Sequence, residues 1–324
     1  MVKNLKELFE KFSDEAKCRE FLIQQRWNGV PTCPKCGGQK SYSIQDGKRF
    51  KCANNKCYYR YTVTIGTVFE ASNIPLSTWF PAMYIIASHK KGISSVQLAK
   101  DLGVTQKTAW FMLHRIRESL KAKNSPLLSG IVEVDETYMS RKIASDYKGI
   151  PPEQVARMEE RNEFRKRRNL GAVIGMKERD GNIIVKASFD AKAKTIAEAV
   201  KTNISPDALL MTDESMKYRT LLASYERQSV NHSKNEWVRG NVHTNGVENF
   251  WSVMKRGIYG IYHQISYKHL QRYCDEFSYR YNSRDLKDGK RFELTLKRLE
   301  GRLSYKQLTE NGNEETDKKT NKAD

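Results

Sequence analysis

IVEVDETYM, residues 131–139, is a run of strand-forming side chains broken by carboxylates. A charged group inside such a run costs stability unless it lies on an exposed edge or has work to do. Asp135 stands in that position, and so does Asp213 at the end of a second apolar run, ALLMTDES (208–215). Between them, LGAVIGMKER (170–179) and NIIVKASF (182–189) alternate like strands and meet at Asp180-Gly181, which predicts a hairpin. AKTIAEAVKTNI (193–204) has the period of a helix, as do VENFWSVMKRGIYG (247–260) and HLQRYCDEFSYRYNSRD (269–285). Strands and helices mixed in this order predict an α/β domain built on a mixed sheet.

Upstream the pattern changes. Leu5, Leu8, Phe9 and Phe12, then Phe21 and Leu22, have helical spacing, whereas residues 30–65 are rich in Gly, Lys, Cys and Tyr. Within that stretch Cys33-Pro-Lys-Cys36-Gly forms one knuckle, and Cys52 and Cys57 form a second pair fifteen residues further on. Four thiolates at this spacing fit a tetrahedral Zn²⁺ site on a small ribbon, and the metal should supply most of the folding energy of so small a module. The four-residue gap between Cys52 and Cys57 is longer than the usual two, and a redox pair is the competing reading. Lys48, Arg49, Lys51 and Arg60 give the ribbon a surface able to meet DNA. Cys18 and Cys274 read as buried thiols.

From Pro75 the helical period returns. SSVQLAKDLG leads to a turn at Gly103, Thr105 can cap the next helix, and TQKTAWFMLHRIRESLKA follows, a sequence consistent with a helix-turn-helix. Val96, Leu102, Val104, Ala109, Met112 and Ile116 would form its buried face. Gln106, Lys107 and Thr108 would open the recognition helix, with Arg115 and Arg117 holding phosphates. An ordinary helical hairpin with a basic surface is the plainer alternative.

Lys and Arg number 57 against 38 Asp and Glu, a net charge of +19. That excess points to a polyanionic partner, since basic side chains gain affinity by displacing counterions from phosphates. No apolar run reaches the length of a spanning helix, and MVKNLKELFEKF lacks the core of a signal peptide, so a cytoplasmic protein with reduced thiols is expected.

Two Asp on neighbouring strands can share Mg²⁺, a hard ion that favours a few carboxylate oxygens. A third carboxylate, Glu248, would share a helix face with Trp251 and Lys255, while Phe250, Val253, Met254 and Ile258 form an apolar stripe. Phosphoryl transfer on DNA needs such a set, because paired ions activate the attacking oxygen and stabilise the leaving one. Glu133, Glu136 and Glu214 are rivals: Glu133 shares the strand face of Asp135 as a possible auxiliary ligand, and Glu136 and Glu214 should point the other way. His243 and Asn245 either line the site or serve as loop and cap residues.

VDETY, MTDES and HTNGVENFWSVMKRGIYGIYHQIS together resemble the DDE transposases of prokaryotic insertion sequences, in the ISXO-like subgroup with an N-terminal zinc ribbon. Thirty-four residues separate Asp213 from Glu248, and Lys255 follows the Glu by seven, a spacing similar to that of related integrases and transposases. With the Cys pairs and the run GTVFEASNIPLSTWFPAMYIIASHKKGISSVQLAKDLGVTQKTAWFMLHRIR, the resemblance covers roughly residues 20–285. It implies an RNase H-like catalytic domain in which Asp135, Asp213 and Glu248 bind Mg²⁺ or Mn²⁺, with Lys255 and Arg256 against the DNA backbone. It also implies double-stranded DNA as partner and a homodimer or larger assembly on it, in a nucleoid-associated enzyme.

The expected organisation is therefore helices and zinc ribbon over 1–74, helix-turn-helix over 75–124, and catalytic domain over 127–300. A basic insertion at 141–168 and a polar, disordered tail at 301–324 complete it. A DNA-binding regulator without catalysis and an RNase H-like nuclease or resolvase are the competing functions.

Overall fold

The computed structural model describes residues 2–122, 125–139, 153, 171–221, 224–263 and 265–309. The chain divides into two compact units, one formed by Met1–Leu120 with Asp285–Asp324, the other by Lys121–Arg284.

In the first unit, α1 (Leu5–Lys11) and α2 (Glu15–Trp27) begin at Asn4 and Asp14, whose side chains accept from Glu7 N and Lys17 N. Each cap satisfies an amide that the helix itself cannot. Three short antiparallel strands follow, β1 (Ser41–Ile44), β2 (Arg49–Cys52) and β3 (Arg60–Tyr61), in the order β1-β2-β3. α3 (Leu76–Ser88) is buried along nearly its whole length. α4 (Ser95–Leu102) ends on Gly103, whose φ of 65° is the left-handed conformation a helix stop requires. α5 (Gln106–Leu120) starts where Thr105 Oγ1 accepts from Thr108 N at 3.2 Å.

The second unit is a five-stranded mixed sheet. Its strands are β4 (Ile131–Tyr138), β5 (Ala172–Glu178), β6 (Ile183–Ser188), β7 (Leu209–Thr212) and β8 (Glu226–Ser229), in the order β6-β5-β4-β7-β8. β5 is antiparallel to β4 and β6, and β7 is parallel to β4 and β8. The hairpin expected at Asp180-Gly181 is the β5–β6 connection. Strand alternation gives the sheet two different faces. Val132, Val134, Ile174, Met176 and Leu210 pack with Ile196 and Val200 of α6 (Ala193–Asn203) and with Tyr218 and Leu221. On the opposite face Val173 and Val185 meet Val247, Phe250, Trp251 and Met254 of α7 (Asn245–Gly257), and Leu270, Cys274 and Phe277 of α8 (Tyr267–Asn282).

The last two helices, α9 (Asp288–Lys297) and α10 (Tyr305–Thr309), return to the first unit. Phe292 meets the rings of Phe12, Phe80 and Tyr84 at 5.6–6.4 Å, and Arg291 Nη1 donates to Ala87 O at 3.1 Å. Three expectations are corrected here. The catalytic-domain boundary set at 300 runs past Arg284, where the sheet unit ends, because α9 finds its apolar partners on α3. The tail set at 301–324 includes α10, anchored by buried Leu303 and Leu308; residues 310–324 lie outside the described residues. Val96 is 53% exposed, and Leu98 and Ala99 take the inward positions of α4 instead. The basic insertion at 141–168 lies outside the described residues apart from the exposed Glu153. Among the described residues no helix is long and apolar enough to cross a membrane.

Gly175 of β5 faces Asp135 across the ladder and lies under α7. A methyl group there would stand 2.6 and 2.8 Å from Trp251 ring carbons and 2.9 Å from Val247. Gly175→Ala is therefore expected to lower the stability of this unit by about 1–3 kcal/mol, the usual cost of overpacking. The urea midpoint followed by near-ultraviolet circular dichroism checks it.

Candidate functional site

Glu133 and Asp135 occupy the face of β4 that looks toward α7, with Val132, Val134 and Glu136 on the other. β4 and β7 run parallel in register, with Glu133 level with Met211. Asp213 directly follows the last residue of β7, close enough for its charge to be felt at Asp135. Ser215 N donates to Asp213 Oδ1 at 2.9 Å, fixing that carboxylate just past the strand end. The Asp213 carbonyl accepts from Arg227 Nη2 at 2.8 Å.

Asp135 is held from above. Its Oδ2 accepts from Trp251 Nε1 at 2.8 Å. Burial pushes its pKa up to about 6 from the ordinary 3.8, the charges of Glu136 and Asp213 push the same way, and the indole hydrogen bond works against them. The charge of Asp213 is thus felt at Asp135. A carboxylate whose ionisation is made costly by burial and by a neighbouring acid suits a divalent cation such as Mg²⁺.

Glu248 lies in the first turn of α7, one turn before Trp251. Its Oε1 accepts from Thr244 Oγ1 at 2.7 Å. The helix thus carries Glu248 to the same face of the sheet as Asp135. Among the described residues, however, no group of three acid, His or Cys ligand atoms other than the four cysteines lies within 4.8 Å of one another, so the three carboxylates stand wider apart than a closed cage. Lys255 is half-buried and Arg256 exposed in the last turn of α7.

The rivals separate by their partners. Glu133 does not join as a spare ligand: Oε2 accepts from Val247 N at 2.9 Å and Oε1 from Arg179 Nη2 at 3.2 Å. Glu136 points to the opposite face, as expected, and accepts from Lys217 Nζ at 2.7 Å and from the Tyr218 hydroxyl. Glu214 accepts from Ser233 N and Oγ at 3.1 and 2.7 Å. His243 belongs to the loop before α7, its carbonyl accepting from Arg179 Nη2 at 3.2 Å, and Asn245 is exposed as the first residue of that helix. Arg179 was not legible as a site residue: it sits in a hairpin turn whose sequence reads only as polar.

In the first unit, Gln106 and Lys107 are exposed at the start of α5, with Gln106 Nε2 donating to Ser95 Oγ at 2.8 Å and the Lys107 ammonium 5.0 Å from the Tyr305 ring. Arg115 and Arg117 do not reach outward. They are 3% and 1% exposed. Arg115 donates to Glu70 O at 2.5 Å and lies against Trp79 and Phe111, and burial draws its pKa down to about 10. Both face inward because α5 is buried on this flank, where a helical surface was expected.

The four thiols converge. Cys33, Cys36, Cys52 and Cys57 present sulfurs all within 4.8 Å of one another, with Cys36–Cys52 at 3.5 Å and Cys33–Cys57 at 3.8 Å. Sulfurs bound to a tetrahedral Zn²⁺ would be roughly 3.8 Å apart. Gly37 N donates to Cys33 O at 2.9 Å, closing the first knuckle, and Tyr58 N donates to Asn54 O at 3.1 Å, closing the longer second one. The Gly38 amide at the Cys36 sulfur, helped by Cys52, draws that thiol down to about 7. Trp27, Phe50, Tyr59 and Tyr61 pack around the cluster, which supports a structural zinc ion.

Residues 127–282 match the model of the ISXO2-like transposase domain, and residues 13–60 match the transposase zinc-ribbon domain. A protein of transposable element ISH50 from Halobacterium salinarum is 26% identical over 263 residues, covering 76% of this chain and 83% of that relative. A chain from the simian T-cell lymphotropic virus intasome, solved in complex with PP2A regulatory subunit B56 gamma, aligns at 14% identity over 63% of each chain, with a TM-score of 0.26. That superposition is too loose to argue from.

Two outcomes are expected. The purified chain carries one zinc ion by elemental analysis, and Cys57→Ser loses it together with the near-ultraviolet signal of the ribbon aromatics. Asp135→Asn stabilises the protein in magnesium-free buffer. The folded state holds the Asp135 proton more tightly than the unfolded state, so stability falls as pH rises from 3.8 to about 6, and the full penalty remains above that. Removing the charge should add up to about 3 kcal/mol at pH 7 and little below pH ~4, read as the difference in thermal midpoint across pH.

Proposed function

This chain belongs to the ISXO2-like transposases with a zinc ribbon, the two matched domains spanning well over half of it, and on that premise we propose that it is the DDE-type transposase of an insertion sequence. The observation that supports this reading best is the Trp251 bond that ties Asp135 to the helix of Glu248, with the charge of Asp213 felt at the same Asp135. The sheet order β6-β5-β4-β7-β8, in which β5 alone runs against the rest, supports an RNase H-like catalytic domain over residues 127–284.

Asp135, Asp213 and Glu248 would hold Mg²⁺ or Mn²⁺, which activates an attacking oxygen and stabilises the leaving one. The chain's own part is to orient. Trp251 fixes one oxygen of Asp135, Thr244 fixes one of Glu248, and Ser215 fixes one of Asp213. Lys255 and Arg256 steady the phosphate backbone. In the first reaction water adds to a phosphodiester at the element end, leaving a 3′-hydroxyl and a 5′-phosphate. That hydroxyl then attacks a target phosphodiester: its oxygen forms a new P–O bond and gives up its proton, the P–O bond to the target 3′-oxygen breaks, and that oxygen leaves as a 3′-hydroxyl after taking up a proton.

The helix pair α4–α5 is read as a helix-turn-helix that presents Gln106 and Lys107 to DNA, and the ribbon as the module beside it. Double-stranded DNA is the partner that a charge of +19 favours. Because two element ends must meet, a homodimer or larger assembly acts in the cytoplasm, at the nucleoid.

Incubated with end DNA and Mg²⁺, the protein should nick at the element boundary and join the 3′ end to supercoiled plasmid. Asp135→Asn and Glu248→Gln should bind the same DNA with unchanged affinity and do neither. A nuclease or resolvase would cut without joining, and cleavage by Asp135→Asn would refute the site.

A further inference from the structure

Glu133 is 1% exposed in the central strand of the sheet, and both carboxylate oxygens are engaged. Oε2 accepts from Val247 N, a first-turn amide of α7, at 2.9 Å. Oε1 accepts from Arg179 Nη2 at 3.2 Å and stands 3.5 Å from His243 Nδ1. Arg179 in turn donates to the carbonyls of Asn241 and His243, at 2.8 and 3.2 Å. The loop entering α7 and the first turn of that helix are thereby tied to one buried carboxylate.

Local capping does not do this work. Thr244, the residue before α7, makes no side-chain cap bond, and its hydroxyl donates to Glu248. The amide that Thr244 leaves open is taken by Glu133, 114 residues away in the chain. A carboxylate suits this place because the first amides and the dipole of a helix favour negative charge. A buried charge is also a poor choice if holding the sheet together were its only role, since apolar packing would serve at least as well. Gly246 lets the two approach: a methyl there would stand 2.7 Å from Glu133 Oε2.

Glu248 directly follows the capped Val247, and one turn later Trp251 donates to Asp135. β4 therefore grips α7 at two points two residues apart, and Glu248 rides between them. We propose that Glu133 is a positioning residue for the reaction: by pinning the first turn of α7 to β4 it sets where Glu248 stands relative to Asp135 and Asp213. The proposal rests on those three as the cation-holding set.

The test uses the full zinc-loaded chain and two readouts, Mn²⁺ affinity by calorimetry and single-turnover cleavage of end DNA. Glu133→Ala should weaken Mn²⁺ binding on the order of tenfold, as loss of a supporting partner does, and slow cleavage at saturating metal while end-DNA affinity is unchanged. Glu133→Gln keeps an oxygen for Val247 N and should recover most of both. Gly246→Ala keeps Glu133 and favours helix, yet displaces the cap, and should shift both readouts in the direction of Glu133→Ala; it decides the matter if Glu133→Ala does not fold. Folded variants with wild-type Mn²⁺ affinity and cleavage would overturn the proposal. A wild-type chain that neither binds Mn²⁺ nor cleaves would remove the triad reading, and this proposal with it.

Discussion

The half-buried hydrogen bond from the Trp251 indole to Asp135 is the contact on which the sheet-bearing unit turns. An ionised carboxylate inside an apolar sheet is costly, and the neutral donors here, the Trp251 indole and the Glu136 amide, offset only part of that cost. The strand resolves its other acids by alternation. Glu133 goes to the helix terminus on one face, and Glu136 goes to Lys217 and Tyr218 on the other. Asp135 is left with an indole, one backbone amide and the charges of Glu136 and Asp213, which raise its pKa further. The proposed cation would supply the compensation that protein groups do not. The same contact joins the apolar packing of α7 and the Glu133 cap in holding the helix against the sheet, so helix packing and carboxylate placement share one bond.

The first unit meets a different constraint. Its ribbon has three strands of two to four residues and a small cluster of buried side chains around Cys33, Phe50, Cys52 and Tyr61. Such a core cannot offset chain entropy alone, and a metal bound by four thiolates can. Around α3 the balance is the reverse. Phe12, Phe80, Phe69, Trp79 and Phe292 interlock edge to face or tilted, and α9 is drawn from the far end of the chain to complete the cluster.

What the sequence discloses follows from locality. The Cys spacing, the hairpin turn, the Gly103 stop and the strand runs are encoded by neighbours in the chain, and each appears where its pattern puts it. Asp135 and Asp213 stand out because each breaks an apolar pattern. What stays hidden is tertiary. Arg115 and Arg117 look like phosphate contacts until α5 is seen to bury that flank. Glu133 looks like a ligand until its oxygens are found on Val247 and Arg179. The return of α9 to α3 has no local signature, since Phe292 would suit any apolar surface.

Local rules are broken at the same places where chemistry is proposed, and that coincidence has a physical basis. A sequence selected for stability alone would fill positions 133 and 135 of this strand with Val or Ile and let Thr244 cap its own helix. Here the strand carries acids, the cap comes from across the fold, and Gly175 gives up a side chain so that an indole can reach Asp135. Each concession lowers stability, and each moves an oxygen or a donor toward the ground between β4, β7 and α7. Independent defects would scatter over the fold. Concessions that converge on one face are the physical trace of a site, and in this unit they share the face of β4 that carries Asp135.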